Sequence, residues 1–216
     1  MQFITGFAAV FLGLGAASAA SVTADKGNIV VTDEAGQRRQ LTAEGRDSEP
    51  VLAPDGRTVA FTRTPSGAPS LDACSATGEA VPQTELWLIG TDGGGAKRLA
   101  QAHEADDMTA IVCDFMNKQF DIAGTRLYYE TRAWTTSNAI RYVDPKSGKD
   151  AFFAPGNSLM VVTCAGSPYA DHIVAAQHRY FVLGGSYDWF WLFDPTGKEV
   201  GPFGEEPPST AEFCDE

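Results

Sequence analysis

The sequence predicts an all-β fold assembled from repeated four-stranded sheets, and three observations predict it. First, an apolar β run, an aspartate, a glycine two to four residues on and an apolar end recur in Asn28–Leu41, Glu85–Leu99, Ile140–Phe153 and Trp189–Phe203. The aspartates, Asp33, Asp92, Asp144 and Asp194, lie 59, 52 and 50 residues apart, which is the spacing of a repeat array. Second, another hairpin precedes three of these copies: Leu52–Phe61 aligns with Phe120–Tyr129 and with Val174–Leu183. Third, Tyr187–Phe193 is apolar at every position but Asp188, so a strand there needs cover on both faces. Sheets sandwiched between like sheets at this period describe a small β-propeller of about four blades, each of four antiparallel strands.

Residues 1–20 read as a secretory signal peptide, leaving 21–216 as one propeller domain. The apolar run Phe3–Ala17 has the right length and Ala17-Ser18-Ala19 offers small residues for cleavage, although no Lys or Arg precedes the run. Fifteen apolar residues are short for a membrane span, and no later segment approaches one. The expected compartment is therefore the periplasm or, alternatively, the extracellular space, with no membrane insertion after cleavage.

Next in order, Asn28–Leu41 offers a hairpin whose Asp33 opens the turn and whose Gly36 takes its left-handed position. Residues 24–43 then supply only two strands of a first blade. In Gly45–Arg63 the Pro54-Asp55-Gly56 turn joins Val51-Leu52 to Val59-Ala60-Phe61: proline presets φ, aspartate caps its own backbone, and glycine accepts φ > 0. Glu85–Leu99 completes that blade. The corresponding turns decay to Ile122-Ala123-Gly124 and Ala176-Gln177-His178 in the later copies. The tail Pro208–Cys214 is expected to add one strand to the first blade, so that N- and C-terminal strands close the ring and hide its edges. An open arc completed by a second copy is the rival arrangement, so the chain is expected to be a monomer or a homodimer.

At Asp47-x-x-Pro50 followed by Pro54-Asp55-Gly56, Val59 and Phe61, and at Leu86, Asp92, Gly94, Arg98 and Leu99, the chain resembles the TolB-like β-propeller repeat. Arg39-Gln40-Leu41-Thr42 is similar to the end of an earlier copy, and the resemblance implies that the two strands of 24–43 are the outer pair of their blade. Leu52 stands where the family has an aromatic residue and Ala53 where it has serine. The resemblance is strongest at 46–100 and implies the fold; propellers serve as scaffolds, lyases, hydrolases and lectins alike.

The chemistry-bearing residues are few. Net charge is −12, none of it in the first twenty residues, which disfavours nucleic acid and favours, if anything, a basic protein partner. Gly184-Gly185-Ser186-Tyr187-Asp188 breaks the G-x-S-x-G nucleophile pattern at its last position and lacks the strand-to-helix setting. His103, His172 and His178 have no ligand spacing, with His178 expected in a surface turn. Glu104, Asp106, Asp107 and Asp114 form an acidic group without the alternating calcium-loop pattern, so no metal and no cofactor is expected. The four cysteines, Cys74, Cys113, Cys164 and Cys214, suit two disulfides in an oxidising compartment. Nearness in sequence pairs Cys74 with Cys113 and Cys164 with Cys214. The first pair would tie together the two long insertions, 64–84 and 101–118, that carry the acidic group.

The expectation is thus an exported, non-enzymatic propeller binding a protein, as an envelope adaptor or an inhibitor or immunity-type protein. The binding residues would be Glu104, Asp106, Asp107, Asp114 and Trp134. The alternatives are a hydrolase or lyase acting on a carbohydrate or small ester, or a carbohydrate-binding module stacking sugars on Trp134.

Overall fold

The computed structural model describes residues 20–75 and 81–214; all but the last residue of the expected signal peptide lies outside them. Fifteen strands form four antiparallel sheets. The second sheet holds β4 (Asp47–Leu52), β5 (Thr58–Arg63), β6 (Glu85–Gly90) and β7 (Lys97–Gln101), the third β8 (Met116–Phe120), β9 (Leu127–Arg132), β10 (Asn138–Val143) and β11 (Asp150–Pro155), each in chain order. The fourth holds β12 (Asn157–Val161), β13 (Ile173–Tyr180), β14 (Ser186–Phe193) and β15 (Glu199–Gly204). Among the described residues no helix is long and apolar enough to cross a membrane.

The first sheet departs from the expectation of two outer strands. It has three: β1 (Ser21–Asp25), β2 (Asn28–Thr32) and β3 (Arg38–Gln40). The β2–β3 turn at Asp33 corresponds to the third-to-fourth-strand turns at Asp92, Asp144 and Asp194, so β1 is a second strand. Among the described residues this sheet has no innermost strand, and β1 pairs only with β2.

Successive residues of each strand serve different neighbours, which is why the sheets stack radially. In β9, Leu127 and Tyr129 pack with Ala60, Leu86 and Leu88 of the second sheet, whereas Tyr128 packs with Ile173, Ala175 and Trp191 of the fourth. In β14, Tyr187, Trp189, Trp191 and Phe193 face the third sheet, whereas Phe190 and Leu192 take the opposite face, the alternation expected from sequence. Ile29 of β2 meets Val59, Phe61 and Ile89 in the same way.

The innermost strands β4, β8 and β12 are each bulged at the same place. Their pairing registers skip between Ser48 and Val51, Met116 and Gln119, and Asn157 and Met160. Glu49, Asn117 and Ser158 take up the bulge with φ of 48°, 44° and 55°, a left-handed conformation rare for such residues. The bulge also accommodates Pro50, which has no N–H to give the ladder. Two residues earlier, the fully buried Asp47 carboxylate takes both forks of Arg63, at 2.6 and 2.8 Å, and its amide bonds Gly27 of the first sheet at 2.8 Å. The Asp-x-x-Pro spacing is therefore an anchor followed by a bulge.

Two expectations are corrected here. Val174–Leu183 is not a hairpin turning at 176–178: β13 runs unbroken through His178, which pairs across the ladder with Asp188, and the turn falls at 181–185. The first strand of that sheet is β12, reached across the 162–172 loop. The tail, too, adds no strand to the first sheet. Residues 211–214 form one helical turn, α1, that lies on the face of the fourth sheet turned away from the third. There Phe213, 2% exposed, packs on Val162, Val174 and Leu192 with Tyr169 and Phe203 at its edges, and Cys214 is bonded to Cys164. Helix wins because Phe213 buries more apolar surface against those three side chains than a polar strand partner would offer it.

The array is accordingly capped at both ends. The outward face of the first sheet carries Ser21, Thr23, Thr32, Arg38 and Gln40 around Val30. Among the described residues no hydrophobic cluster, hydrogen bond or ion pair joins it to the fourth sheet. Phe213→Ala should uncover the fourth sheet and cost about 3 kcal/mol in urea unfolding. A loss under about 0.5 kcal/mol would show that the tail is not a cap.

Candidate functional site

Because the strands alternate in direction, β5–β6, β7–β8, β9–β10 and β13–β14 all connect at the same end of the array, and this end carries every long connection but 162–172. The described parts of the 64–84 connection, 64–75 and 81–84, form one structure with the 102–115 connection. Cys74 is bonded to Cys113 with their Cα atoms 5.4 Å apart, and the Ala73 amide donates to Glu104 Oε1 at 2.6 Å. Short bridges pair Ser70 with Pro82 and His103 with Val112. Beneath the staple, Leu71, Ile111, Val112 and Phe115 are buried and continuous with the core between the second and third sheets. In the chain-entropy picture a staple closing about forty residues contributes about 3–4 kcal/mol.

The five expected binding residues divide. Asp106 and Asp107 are exposed, and Glu104 is exposed while holding the Ala73 amide. Asp107 is turned inward on its own loop: the Thr109 amide and hydroxyl bond its Oδ1 at 2.8 and 2.9 Å and hold the carboxyl below the usual range. Among the described residues Asp106 makes no hydrogen bond or ion pair. Asp114 is not a surface acid. It is largely buried against Arg132, 2.8 Å from the guanidinium Nε, and burial pushes its carboxyl up while Arg132 opposes the shift. Trp134, 37% exposed, leans edge-on against Phe152 and borders a recess of about 440 Å³ with Arg132, Asn138 and the Cys74–Cys113 disulfide.

Sequence reasoning missed the polar ties that hold this end together. Lys118, its side chain 2% exposed, donates to Glu49 Oε2 at 2.9 Å, Thr62 Oγ1 at 2.9 Å and the Phe115 carbonyl at 2.6 Å. Burial lowers its pKa against the pull of Glu49 and Asp114. All three ammonium hydrogens are used, so Lys118 is a cross-link between sheets rather than a nucleophile in waiting. Asn117 donates to Glu130 Oε1 and to the Leu159 carbonyl, both at 2.8 Å, and Glu130 accepts the Leu159 amide at 2.8 Å. The bulges of β4 and β8 are thus each tied to the following sheet. The only sequence trace was the polar run Asn117–Gln119, where the expected 101–118 insertion meets the expected Phe120–Tyr129 hairpin. Among the described residues no three His, Cys, Asp or Glu side chains converge as a metal site.

No family model matches the chain, and no curated protein does. Solved structures similar to it include TolB from Acinetobacter baumannii, with 16% identity, 87% of this chain and 41% of that one covered, and a TM-score of 0.53. The β-propeller domain of the Trilobed protease from Pyrococcus furiosus, described as having an open velcro topology, gives 14%, 83%, 49% and 0.53 in the same order. An oligogalacturonate lyase in complex with manganese gives 17%, 81%, 41% and 0.51. The chain spans less than half the length of each. These likenesses show a TolB-like propeller fold shared by proteins of different function.

A pH test follows from Asp114. Its folded carboxyl titrates above the unfolded value of 3.8, so the native state holds this proton more tightly. Its contribution to stability is present below 3.8 and is lost as pH rises through the folded pKa. Acidification from neutrality toward 3.8 should therefore favour the wild type over Asp114→Asn in unfolding free energy. A difference that does not vary with pH would mean that Arg132 cancels the burial.

Proposed function

We propose that this is an exported, non-enzymatic propeller that works by binding another protein through the end carrying the stapled loops. The observation that carries this reading is the Cys74–Cys113 unit. Its described residues share a buried floor and are fixed by a disulfide and side-chain bonds, presenting Glu104, Asp106 and Asp107 to solvent. A loop held in one conformation loses little entropy on binding, which suits recognition. The buried Lys118, Asp114 and Glu130 nearby are each committed to structural partners. The carboxylates and the net charge of −12 point to a basic surface on the partner. An envelope adaptor or an inhibitor or immunity-type protein fits this description, in the periplasm or outside the cell. Two disulfides support an oxidising compartment.

One observation favours a second reading. The recess bordered by Trp134, Arg132 and Asn138 has a stacking surface beside polar groups, the combination a carbohydrate-binding module uses. Glycan binding abolished by Trp134→Ala would establish it.

The test of the first reading uses Asp106, because its replacement removes no internal contact. Oxidised full-length protein is used to capture a stoichiometric partner from envelope and secreted fractions, and affinity is then measured on the purified pair. Asp106→Lys should weaken binding about tenfold at low salt and less at high salt. Unchanged affinity at both would sink the reading.

A further inference from the structure

The β13–β14 hairpin outgrows its counterparts. The two strands have eight residues each, against six in β5, β6, β9 and β10. Ile173 and Leu127 hold equivalent positions, each opposite the last residue of its inner strand, and from there β13 runs two residues further than β9, about 7 Å of additional strand. The tip is Tyr180-Phe181-Val182-Leu183-Gly184-Gly185, and no charge occurs from Tyr180 to Tyr187. Val182 and Leu183 are fully exposed, at 101% and 100%, and Tyr180 and Phe181 largely so. Exposed aliphatic side chains at the summit of a projection have no folding role to explain them.

The hairpin is also preorganised. Gly184 and Gly185 sit at φ of 102° and 86°, the Phe181 amide donates to the Gly185 carbonyl at 3.0 Å, and the Gly184 amide to the Phe181 carbonyl at 3.1 Å. The Phe181 ring rests on Tyr187 at 4.7 Å, and Tyr187 on Trp189 at 5.1 Å. At its root the Arg179 guanidinium is held by Gln177 and Glu199 over the Trp191 ring.

We propose that Phe181, Val182 and Leu183 are an anchor that enters an apolar pocket on the protein partner, a pocket rimmed by basic side chains. The proposal rests on the protein-binding reading above and names what that partner must offer. Charge selects this occupant. The hairpin emerges at the same end as Glu104, Asp106 and Asp107, with exposed Asp188 behind its tip. An anionic bilayer would be repelled by those carboxylates, and a second copy would bring two acidic rims together. A partner surface with an apolar pocket and basic side chains complements both features at once.

The experiment uses oxidised full-length protein and the captured partner. With p-benzoylphenylalanine at position 182, irradiation should label one partner peptide that is apolar and flanked by Lys or Arg. Val182→Asp combined with Leu183→Asp should weaken the complex at least about tenfold. Its circular dichroism and urea midpoint should stay unchanged, because these side chains touch nothing. Labelling of a second copy, flotation with phosphatidylcholine vesicles, or wild-type affinity in the double variant would overturn the proposal. Wild-type affinity there with a loss in Asp106→Lys removes the anchor and keeps the acidic-loop reading. Wild-type affinity in both removes both.

Discussion

Everything in this structure depends on sheets that are apolar on both faces. A strand such as Leu127–Arg132 sends Leu127 and Tyr129 one way and Tyr128 the other, so its sheet is stable only with a neighbour on each side. Repeating the unit satisfies the interior sheets and leaves the problem at the two ends. The chain solves it differently at each. The first sheet is polar on its outward face and the fourth is covered by the tail through Phe213.

Packing alone would not fix the angle between sheets, and here the bulges contribute. A left-handed residue bulges each inner strand at Glu49, Asn117 and Ser158, and at the first two its side chain bonds the following sheet. The Lys118–Glu49 and Asn117–Leu159 bonds then specify which residues face each other. Such bonds discriminate against slipped arrangements that an apolar interface tolerates, because a slip leaves a buried ammonium or carboxylate without its partner. The same end of the array therefore holds both its most constrained polar groups and its longest loops.

Much of the fold was legible because the turn chemistry is explicit. Asp33, Asp92, Asp144 and Asp194 cap their turns through Oδ1 in the structure as the recurring Asp–Gly spacing implied. Pro54-Asp55-Gly56 likewise marked its hairpin. Where no such signal exists the reading failed. The 162–172 connection has no Pro-Asp-Gly, so the repeat was aligned one strand out of place and the long hairpin was hidden, although Gly184-Gly185 marks its turn. The bulges at Asn117 and Ser158 have no proline like Pro50 to mark them in the sequence. Within the candidate site, Cys74, Cys113 and the exposed acids were visible from loop length and composition. Asp114 was indistinguishable from them, because burial beside Arg132 is a tertiary fact.

Radial stacking has one further consequence, at the outer rim. Each sheet ends in an outward strand with unpaired amides and carbonyls, and four such edges invite polymerisation by strand addition. None presents a flat, regular template. β3 is three residues long and carries Arg38 and Arg39, and β7 opens with Lys97 and Arg98 and is paired through a bulge. β11 ends in Pro155 after a bulge, and β15 contains Pro202 and two irregularities. Crowded solutions of this protein are thereby guarded against fibre growth at the edges its architecture cannot hide.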